Sequence, residues 1–140
     1  MARILAIDYG RKRVGLAVTD PMQIIANGLD TVPAKDLLDY LEKYMAKEPV
    51  ECIVVGYPKQ LNNQDSESMK FVRPFLGQLK KRFPDIPVEL MDERYTSKIA
   101  FQAMIDGGLK KKARQNKALI DTVSATIILQ SYMEKKRNLF

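Results

Sequence analysis

Two short apolar segments separated by a tight, glycine-containing turn constrain the fold of this chain more than any other feature. Residues 3–8 and 14–19 are rich in Ile, Leu, Val and Ala, and residues 9–13 between them read Tyr-Gly-Arg-Lys-Arg. This pattern is typical of a β-hairpin. A third apolar segment, residues 24–32, follows after a short break. The chain is therefore predicted to begin with a meander of three antiparallel strands.

The next segments alternate between helical and strand periodicity. The stretch 34–47 has leucines at helical spacing, which predicts an amphipathic helix. Residues 50–56, Val-Glu-Cys-Ile-Val-Val-Gly, are short and β-branched, as in a buried parallel strand. A second helix is predicted to begin near Ser66. Pro74 lies inside it, and its missing N–H predicts a kink or a late start.

The last part of the sequence predicts one more strand and two helices. Residues 86–91 form the strand, a third helix runs from Thr96 or Ser97 to Gly107, and a final helix covers about 117–136. The order β-β-β-α-β-α-β-α-α predicts an α/β fold, a mixed five-stranded sheet with helices on both faces. At 140 residues the chain is expected to form a single domain, residues 1–140.

Composition narrows the chemistry and the cellular location. The sequence contains no histidine, which excludes a histidine-liganded zinc site and a Ser-His-Asp triad. Cys52 is the only cysteine and lies in an apolar run, which indicates a buried thiol in a reducing compartment. We expect no signal peptide, and no apolar run approaches the ~18 residues that a membrane span needs. We expect a cytoplasmic protein, and its net charge of +6 favours polyanionic partners.

Carboxylates from three distant parts of the sequence are predicted to meet at one edge of the sheet. Asp8 ends the first strand, Asp92 and Glu93 end the fifth, and Asp121 lies on the small apolar face of the final helix. Ligands in such sheets gather where strands end beside the topological switch. Clustered carboxylates without His or Cys suit hard cations, Mg²⁺ or Mn²⁺.

Each acid also has a local alternative role. Asp8 could accept hydrogen bonds from turn amides, and Asp121 could interact with the dipole of its own helix. Asp92 or Glu93 could pair with Arg94 or cap the helix that follows. The conjunction of the three positions favours a shared metal site over three separate local roles.

Basic residues near these acids are candidate contacts for a nucleic-acid backbone. They are Arg11, Lys12 and Arg13 in the first turn, Arg94, and Lys110, Lys111 and Lys112 before the final helix. Each group could equally be a solvated surface segment. Lys59 and Gln60 are further candidates, and Tyr9 is expected to pack locally rather than to stack a base.

Four motifs resemble those of a known family. In order and spacing, "AIDYGRKRVGLAVTD", "VVGYP", "DERYTS" and "IDTVSATIILQSY" resemble the YqgF family, also called RuvX, of pre-16S rRNA nucleases and Holliday junction resolvase-like proteins. The resemblance covers essentially the whole chain. It implies an RNase H-like fold, a divalent-metal nuclease site and a role in processing the 5′ end of small-subunit rRNA.

The resemblance also implies site residues. Asp8, Glu93 and Asp121 match the three catalytic and metal-binding acids of the family, which are expected to bind two Mg²⁺ or Mn²⁺ ions. Asp92 is the reserve candidate, because adjacent strand residues face opposite ways and the sequence does not fix the register. In the related RuvC resolvases an acid follows the fourth strand, whereas here that strand ends in Gly56-Tyr57-Pro58. The loop 59–66 also lacks the glycine that the family usually has there.

Three other functions stay open at the level of sequence. One is resolution of four-way DNA junctions, which normally needs a symmetric dimer; monomer and homodimer are both compatible with the sequence. Another is nucleotide hydrolysis, because "DYGRKRVG" resembles the first phosphate loop of actin- and hexokinase-like ATPases. Those enzymes need two such domains, and 140 residues supply one. The third is a catalytically silent RNA- or ribosome-binding module of the same fold.

Overall fold

A computed structural model of the protein describes residues 2–10, 12–57, 69–92 and 117–137. Within them the side chains of residues 57, 69–71, 92, 117–121 and 137 are not described. The strands are β1 (Arg3–Tyr9), β2 (Arg13–Thr19), β3 (Ala26–Pro33), β4 (Val50–Tyr57) and β5 (Val88–Asp92). The helices are α1 (Leu37–Lys47), which follows a 3-10 turn at Ala34–Asp36, α2 (Met69–Arg82) and α3 (Lys117–Arg137).

The five strands form one mixed sheet in the order β3-β2-β1-β4-β5. β2 pairs antiparallel with both β1 and β3, while β4 pairs parallel with β1 and with β5. This is the predicted meander followed by two crossover strands, and the RNase H-like fold expected from the sequence is confirmed. The topological switch lies between β1 and β4, at the centre of the sheet.

Helices cover both faces of the sheet, which explains why β1 and β4 are apolar at successive positions. Leu5 and Ile7 of β1 pack in a core with residues of α1 and α2. Ile4 and Ala6, which alternate with them, pack in a second core with residues of α3. Each fully buried Ile or Leu side chain contributes about 2–3 kcal/mol. The two cores together fix which residues of each strand face α3.

The α3 face of the sheet is lined by small and medium side chains. Ala125, Ile128, Leu129 and Met133 are buried there, as the predicted apolar face of the last helix requires. Cys52 is buried on this face as a free thiol, 3.8 Å from the hydroxyl of Tyr132, and its burial raises the pKa of the thiol. The prediction of an unbridged core cysteine is confirmed.

Two strands begin later than the sequence predicts. β3 starts at Ala26 rather than at residue 24, because residues 20–25 form a turn in which Ile24 and Ile25 are exposed. β5 starts at Val88 rather than at residue 86, because the amide of Ile86 instead donates to the carbonyl oxygen of Phe83.

The remaining differences concern the helices. α2 is helical through Pro74, with its first described residue at Met69. The predicted start near Ser66 and the predicted helix from residue 96 to 107 lie outside the described residues. No helix in the described part of the chain has the length and apolarity needed to cross a membrane.

Candidate active site

Asp8 is a half-buried carboxylate near the end of the central strand β1. Ile4 and Ala6 of the same strand pack beneath α3. Because side chains two residues apart in a strand share a face, Asp8 belongs to the α3 face of the sheet. The apolar residues before it hold the carboxylate at the end of a rigid, fully paired strand.

Both strand neighbours of Asp8 are glycines. Asp8 is in register with Gly15 of β2 on one side and with Gly56 of β4 on the other. Neighbouring strands lie about 4.8 Å apart, so an ordinary residue at either position would place a side chain directly beside the carboxylate. The two glycines leave a slot on each side of Asp8, a glycine slot into which a ligand can approach the backbone closely.

The end of β5 lies at the same level of the sheet. Met91 is in register with Gly56 and packs in the α3-side core. Asp92 follows it as the last residue of the strand, in register with Tyr57. The side chain of Asp92 and all of Glu93 and Arg94 lie outside the described residues.

The first turns of α3 are held over the same level of the sheet. Thr122 contacts Thr31 of β3 through their hydroxyl groups, whose oxygens are 2.8 Å apart. Thr31 is in register with Gly15, which is in register with Asp8. Asp121 immediately precedes Thr122 in the helix, and its side chain lies outside the described part.

Only part of the predicted metal triad therefore lies within the described residues. Of its three acids, Asp8 has a described side chain, Asp121 is placed by backbone alone, and Glu93 is outside the description. Among the side chains that are described, no group of three or more His, Cys, Asp or Glu residues is close enough to hold a metal ion. The assignment of Asp8, Glu93 and Asp121 stays a prediction.

Two of the predicted phosphate contacts lie in the turn after β1 and at the first residue of β2. Lys12 is exposed and Arg13 is half-buried. The turn requires glycine, because a Cβ at Gly10 would lie 2.4 Å from the carbonyl oxygen of Arg13. The other predicted contacts lie outside the described residues: Arg11, Lys59, Gln60, Arg94, Lys110, Lys111 and Lys112.

Tyr9 packs against a helix. Its ring stacks on that of Phe75 in α2, with centroids 4.4 Å apart and planes inclined by 15°. Burial raises the pKa of the Tyr9 phenol. The prediction of local packing is confirmed, and the contact braces the end of β1 against α2.

Sequence reasoning missed the glycine slot and the threonine contact. The signal for the slot was present, since Gly15 and Gly56 each follow or interrupt an apolar strand segment. Without the strand register, however, neither glycine can be assigned to Asp8. The contact between Thr31 and Thr122 joins residues 91 positions apart and has no local signature.

Comparison with known proteins extends these observations. The sequence model of the family RuvX, described as "Holliday junction resolvase", matches residues 2–135. A protein of Phocaeicola vulgatus named "Putative pre-16S rRNA nuclease" is 68% identical over 137 residues, which span 98% of this chain and 99% of the relative. A protein of the same name from Bacteroides thetaiotaomicron is 62% identical over 137 residues, with the same coverage.

Solved structures share the fold at low sequence identity. A Fowlpox virus resolvase, solved with Holliday junction DNA, is 14% identical with a TM-score of 0.62, and the match covers 96% of this chain and 98% of that one. RuvC of T. thermophilus, solved with a Holliday junction substrate, is 18% identical with a TM-score of 0.57, and the match covers 95% and 96%. At this identity the likeness concerns the fold alone.

Proposed function

The chain belongs to the RuvX family, and on this premise we propose that it is a divalent-metal-dependent nuclease that processes the 5′ end of pre-16S rRNA. Its near full-length relatives carry the name of that activity. We take residues 1–140 as a single nuclease domain that acts in the cytoplasm on structured RNA.

The observation that carries this proposal is the position of Asp8. It stands at the end of the central strand, between Gly15 and Gly56, at the level where the first turns of α3 cross the sheet. The glycine slot gives an ion or a phosphate room beside the carboxylate. Oxygen ligands in a site without histidine fit a hard divalent cation.

Strand alternation supports Glu93 as the second acid. Met91 packs on the α3 face, the face to which Asp8 belongs. If the alternation of the strand held for one residue beyond Asp92, position 93 would share this face. Asp92 would then have the opposite parity, and we therefore keep it as the reserve.

Asp8, Glu93 and Asp121 would together hold two Mg²⁺ or Mn²⁺ ions. When bound, such ions activate a water molecule and stabilise the leaving oxygen of a phosphodiester. Of the three acids, Asp8 lies on the central strand and Asp121 on α3, so that these two would be positioned before the ions bind. Buried apolar residues on both faces of β1 hold the strand that carries Asp8.

The basic residues would bind the RNA backbone around this site. Lys12 and Arg13 follow the end of β1, and Arg11 precedes them in the sequence. Arg94 follows Glu93, where a guanidinium can stabilise phosphoryl charge. The lysines 110–112 precede α3 and would extend the basic surface.

Cleavage of a precursor-rRNA 5′ leader tests the proposal. The substitutions Asp8→Asn and Asp121→Asn remove a metal-binding charge while they keep the side-chain size. Because the metals contribute several kcal/mol to transition-state stabilisation, each should lower the rate with Mg²⁺ or Mn²⁺ by at least about a hundredfold. Asp85→Asn, an exposed residue in the turn after α2, is the matched control and should cleave like the wild type.

The outcomes separate the competing functions. Undiminished cleavage by both variants would refute the metal-site assignment. If the wild type binds the leader but does not cleave it in the presence of any metal ion, the protein is instead a silent RNA-binding module. A four-way DNA junction assayed in parallel distinguishes RNA processing from junction resolution, which would give paired, symmetric nicks by a dimer.

A further inference from the structure

A polar contact joins the edge strand β3 to the N-terminal half of α3. The hydroxyl oxygens of Thr31 and Thr122 are 2.8 Å apart, and the contact is partly buried. Most of the described interface between α3 and the sheet is apolar, built from Ala125, Ile128 and Leu129, and the contact of Tyr132 with Cys52 lies towards the other end of the helix. Apolar contacts are non-directional, whereas a hydrogen bond requires a defined distance and angle between two atoms. The threonine contact therefore restricts the position of this end of α3 more sharply than apolar packing alone.

A glycine lets the helix come this close. A Cβ at Gly28 of β3 would lie 2.4 Å from Cγ2 of Thr122 and 3.5 Å from Oγ1 of Thr126. The first distance is far below a van der Waals contact, and the χ1 angle of a β-branched residue on a helix is strongly restricted. A side chain at position 28 would therefore push the first turns of α3 away from β3.

This contact lies at the level of the proposed site. Thr31 is in register with Gly15, and Gly15 with Asp8, so that Thr31 and Asp8 share one row across the sheet, roughly 10 Å apart. Thr122 immediately follows Asp121. The segment of α3 that the contact holds is thus the segment that carries the third proposed metal ligand.

We propose that Thr31, Thr122 and Gly28 are positioning residues: they fix where the backbone at Asp121 lies along the sheet and how close it comes, and so set the metal affinity of the site. This inference rests on the proposed function, since it assigns a role relative to Asp8 and Asp121. The three residues form a threonine latch between β3 and α3. They act through Asp121 and need not touch the metal or the substrate.

The latch contributes little of the energy that docks α3. Four buried side chains, Ala125, Ile128, Leu129 and Met133, supply most of it. Loss of one hydroxyl contact should therefore leave the helix docked but free to shift at its N-terminal end. Outer-sphere partners of metal ligands typically change metal affinity by 10- to 100-fold when they are replaced.

Direct Mn²⁺ binding tests the inference. We would titrate the full chain with Mn²⁺ by calorimetry and measure the Mn²⁺ concentration for half-maximal cleavage of the precursor-rRNA leader. Thr31→Val keeps the shape of the side chain and should weaken Mn²⁺ binding about tenfold, with an unchanged KM for RNA. Thr31→Ser keeps the hydroxyl and should restore binding. Gly28→Ala should weaken it at least as much as Thr31→Val.

Thr19→Val is the control. Thr19 is buried and its hydroxyl accepts a 2.9 Å hydrogen bond from the amide of Ile4, at the opposite end of β1 from Asp8. The loss of this bond should lower the melting temperature without a change in Mn²⁺ affinity. A general loss of stability is thereby distinguished from displacement of Asp121.

Different experimental results would refute this inference and the proposed function. Wild-type Mn²⁺ affinity in both Thr31→Val and Gly28→Ala, with cleavage abolished in Asp121→Asn, would overturn the latch and leave the nuclease in place. Equal weakening by Thr31→Val and Thr31→Ser would overturn the role of the hydroxyl. A wild type that neither binds Mn²⁺ nor cleaves would overturn both proposals.

Discussion

Asp20 shows how one side chain can decide where a strand begins. Its carboxylate accepts hydrogen bonds from the amides of Met22, Ile24 and Ile25, at 3.1, 2.7 and 2.8 Å. Gln23 adopts a φ of 58° within this turn and donates through its side chain to the carbonyl oxygen of Ala2 at 2.9 Å. Amides that bind Asp20 cannot join the sheet, which explains why the apolar residues 24 and 25 are not part of β3.

The hydrogen bonds to Asp20 should make stability depend on pH. They lower the pKa of this carboxyl, with the amide of Ile25 the largest contributor. Because the folded-state pKa lies below the unfolded value of about 3.9, the stabilisation is present above that pH and is lost as the pH falls through the folded pKa. Asp20→Asn should lower the melting temperature at pH 7 by roughly 2–4 °C.

Thermal melts of wild type and Asp20→Asn between pH 7 and pH 2 check this expectation. The difference between the two proteins should shrink as the pH drops below about 4. Asp85→Asn serves as the comparison, since Asp85 is an exposed residue in the turn after α2. A difference that stays constant over the whole range would contradict the role of the Asp20 charge.

Sequence reasoning at the level of residues identified Asp8 but not its surroundings. A carboxylate at the end of an apolar strand is recognisable in the sequence, because a charged side chain is unfavourable next to buried apolar residues. The glycine slot depends on which residues of β2 and β4 lie beside Asp8, and that register is set by tertiary packing. The same limit left the choice between Asp92 and Glu93 open in the sequence, and it stays a prediction.

At the level of elements, α2 contains an unusual proline. The helix runs from Met69 to Arg82 through Pro74, which is exposed and cannot donate to the carbonyl four residues earlier. The buried stripe formed by Val72, Phe75 and Leu79 keeps the helix in place. The sequence predicted a kink or a late start because it shows only the local preference of proline. In the folded protein, tertiary packing outweighs that preference.

Replacement of this proline should stabilise the protein. Pro74→Ala restores one backbone hydrogen bond and removes the clash of the ring with the preceding turn, at the cost of a less restricted unfolded chain. We expect a net gain of about 2 kcal/mol in the free energy of unfolding, measured by urea denaturation. The side chain is exposed, so the core should not change.

Gly77→Ala in the same helix provides a reference. A Cβ at this exposed position meets no atom within 4 Å, so its gain reflects helix propensity alone, about 1 kcal/mol. If Gly77→Ala stabilises the protein while Pro74→Ala does not, the proline is not a source of strain in α2.

The element order was predictable because it rests on local periodicity. α1 and β4 were expected at 34–47 and 50–56 and are found at Leu37–Lys47 and Val50–Tyr57. The later start of β3 was not predictable from periodicity, because the side chain of Asp20 competes with the strand for the same amides. The start of β3 is thus set by side-chain chemistry and that of β5 by a backbone hydrogen bond in the preceding turn, and neither has a periodic signature.

At the level of the whole molecule, charge should govern the affinity for RNA. The net charge is +6, and the proposed RNA contacts include Lys12 and Arg13 next to the site. Each phosphate that a cation neutralises releases a counterion, so log K falls linearly with log salt. Binding of the precursor leader should therefore weaken steeply between 50 and 200 mM salt.

Neutral substitutions in this turn should reduce the salt dependence. Lys12→Gln and Arg13→Gln together should lower the slope of log K against log salt by about 1.5 to 2, if each cation contacts one phosphate. Lys43→Gln and Lys47→Gln on the opposite face, in α1, form the control pair. An unchanged slope in the Lys12 and Arg13 variant would mean that this turn does not contact the backbone of the RNA.

The place of α3 in the chain has a consequence for how the protein is made. α3 packs against β1, β2, β3 and β4, all of which are synthesised before it. A nascent chain that lacks it leaves Ile4, Ala6, Ala17 and Val54 of the sheet without their cover. The meander formed by β1, β2 and β3 can pair early, yet the second core closes only when α3 is present. Synthesis itself therefore delays the assembly of the proposed catalytic centre until α3 has left the ribosome.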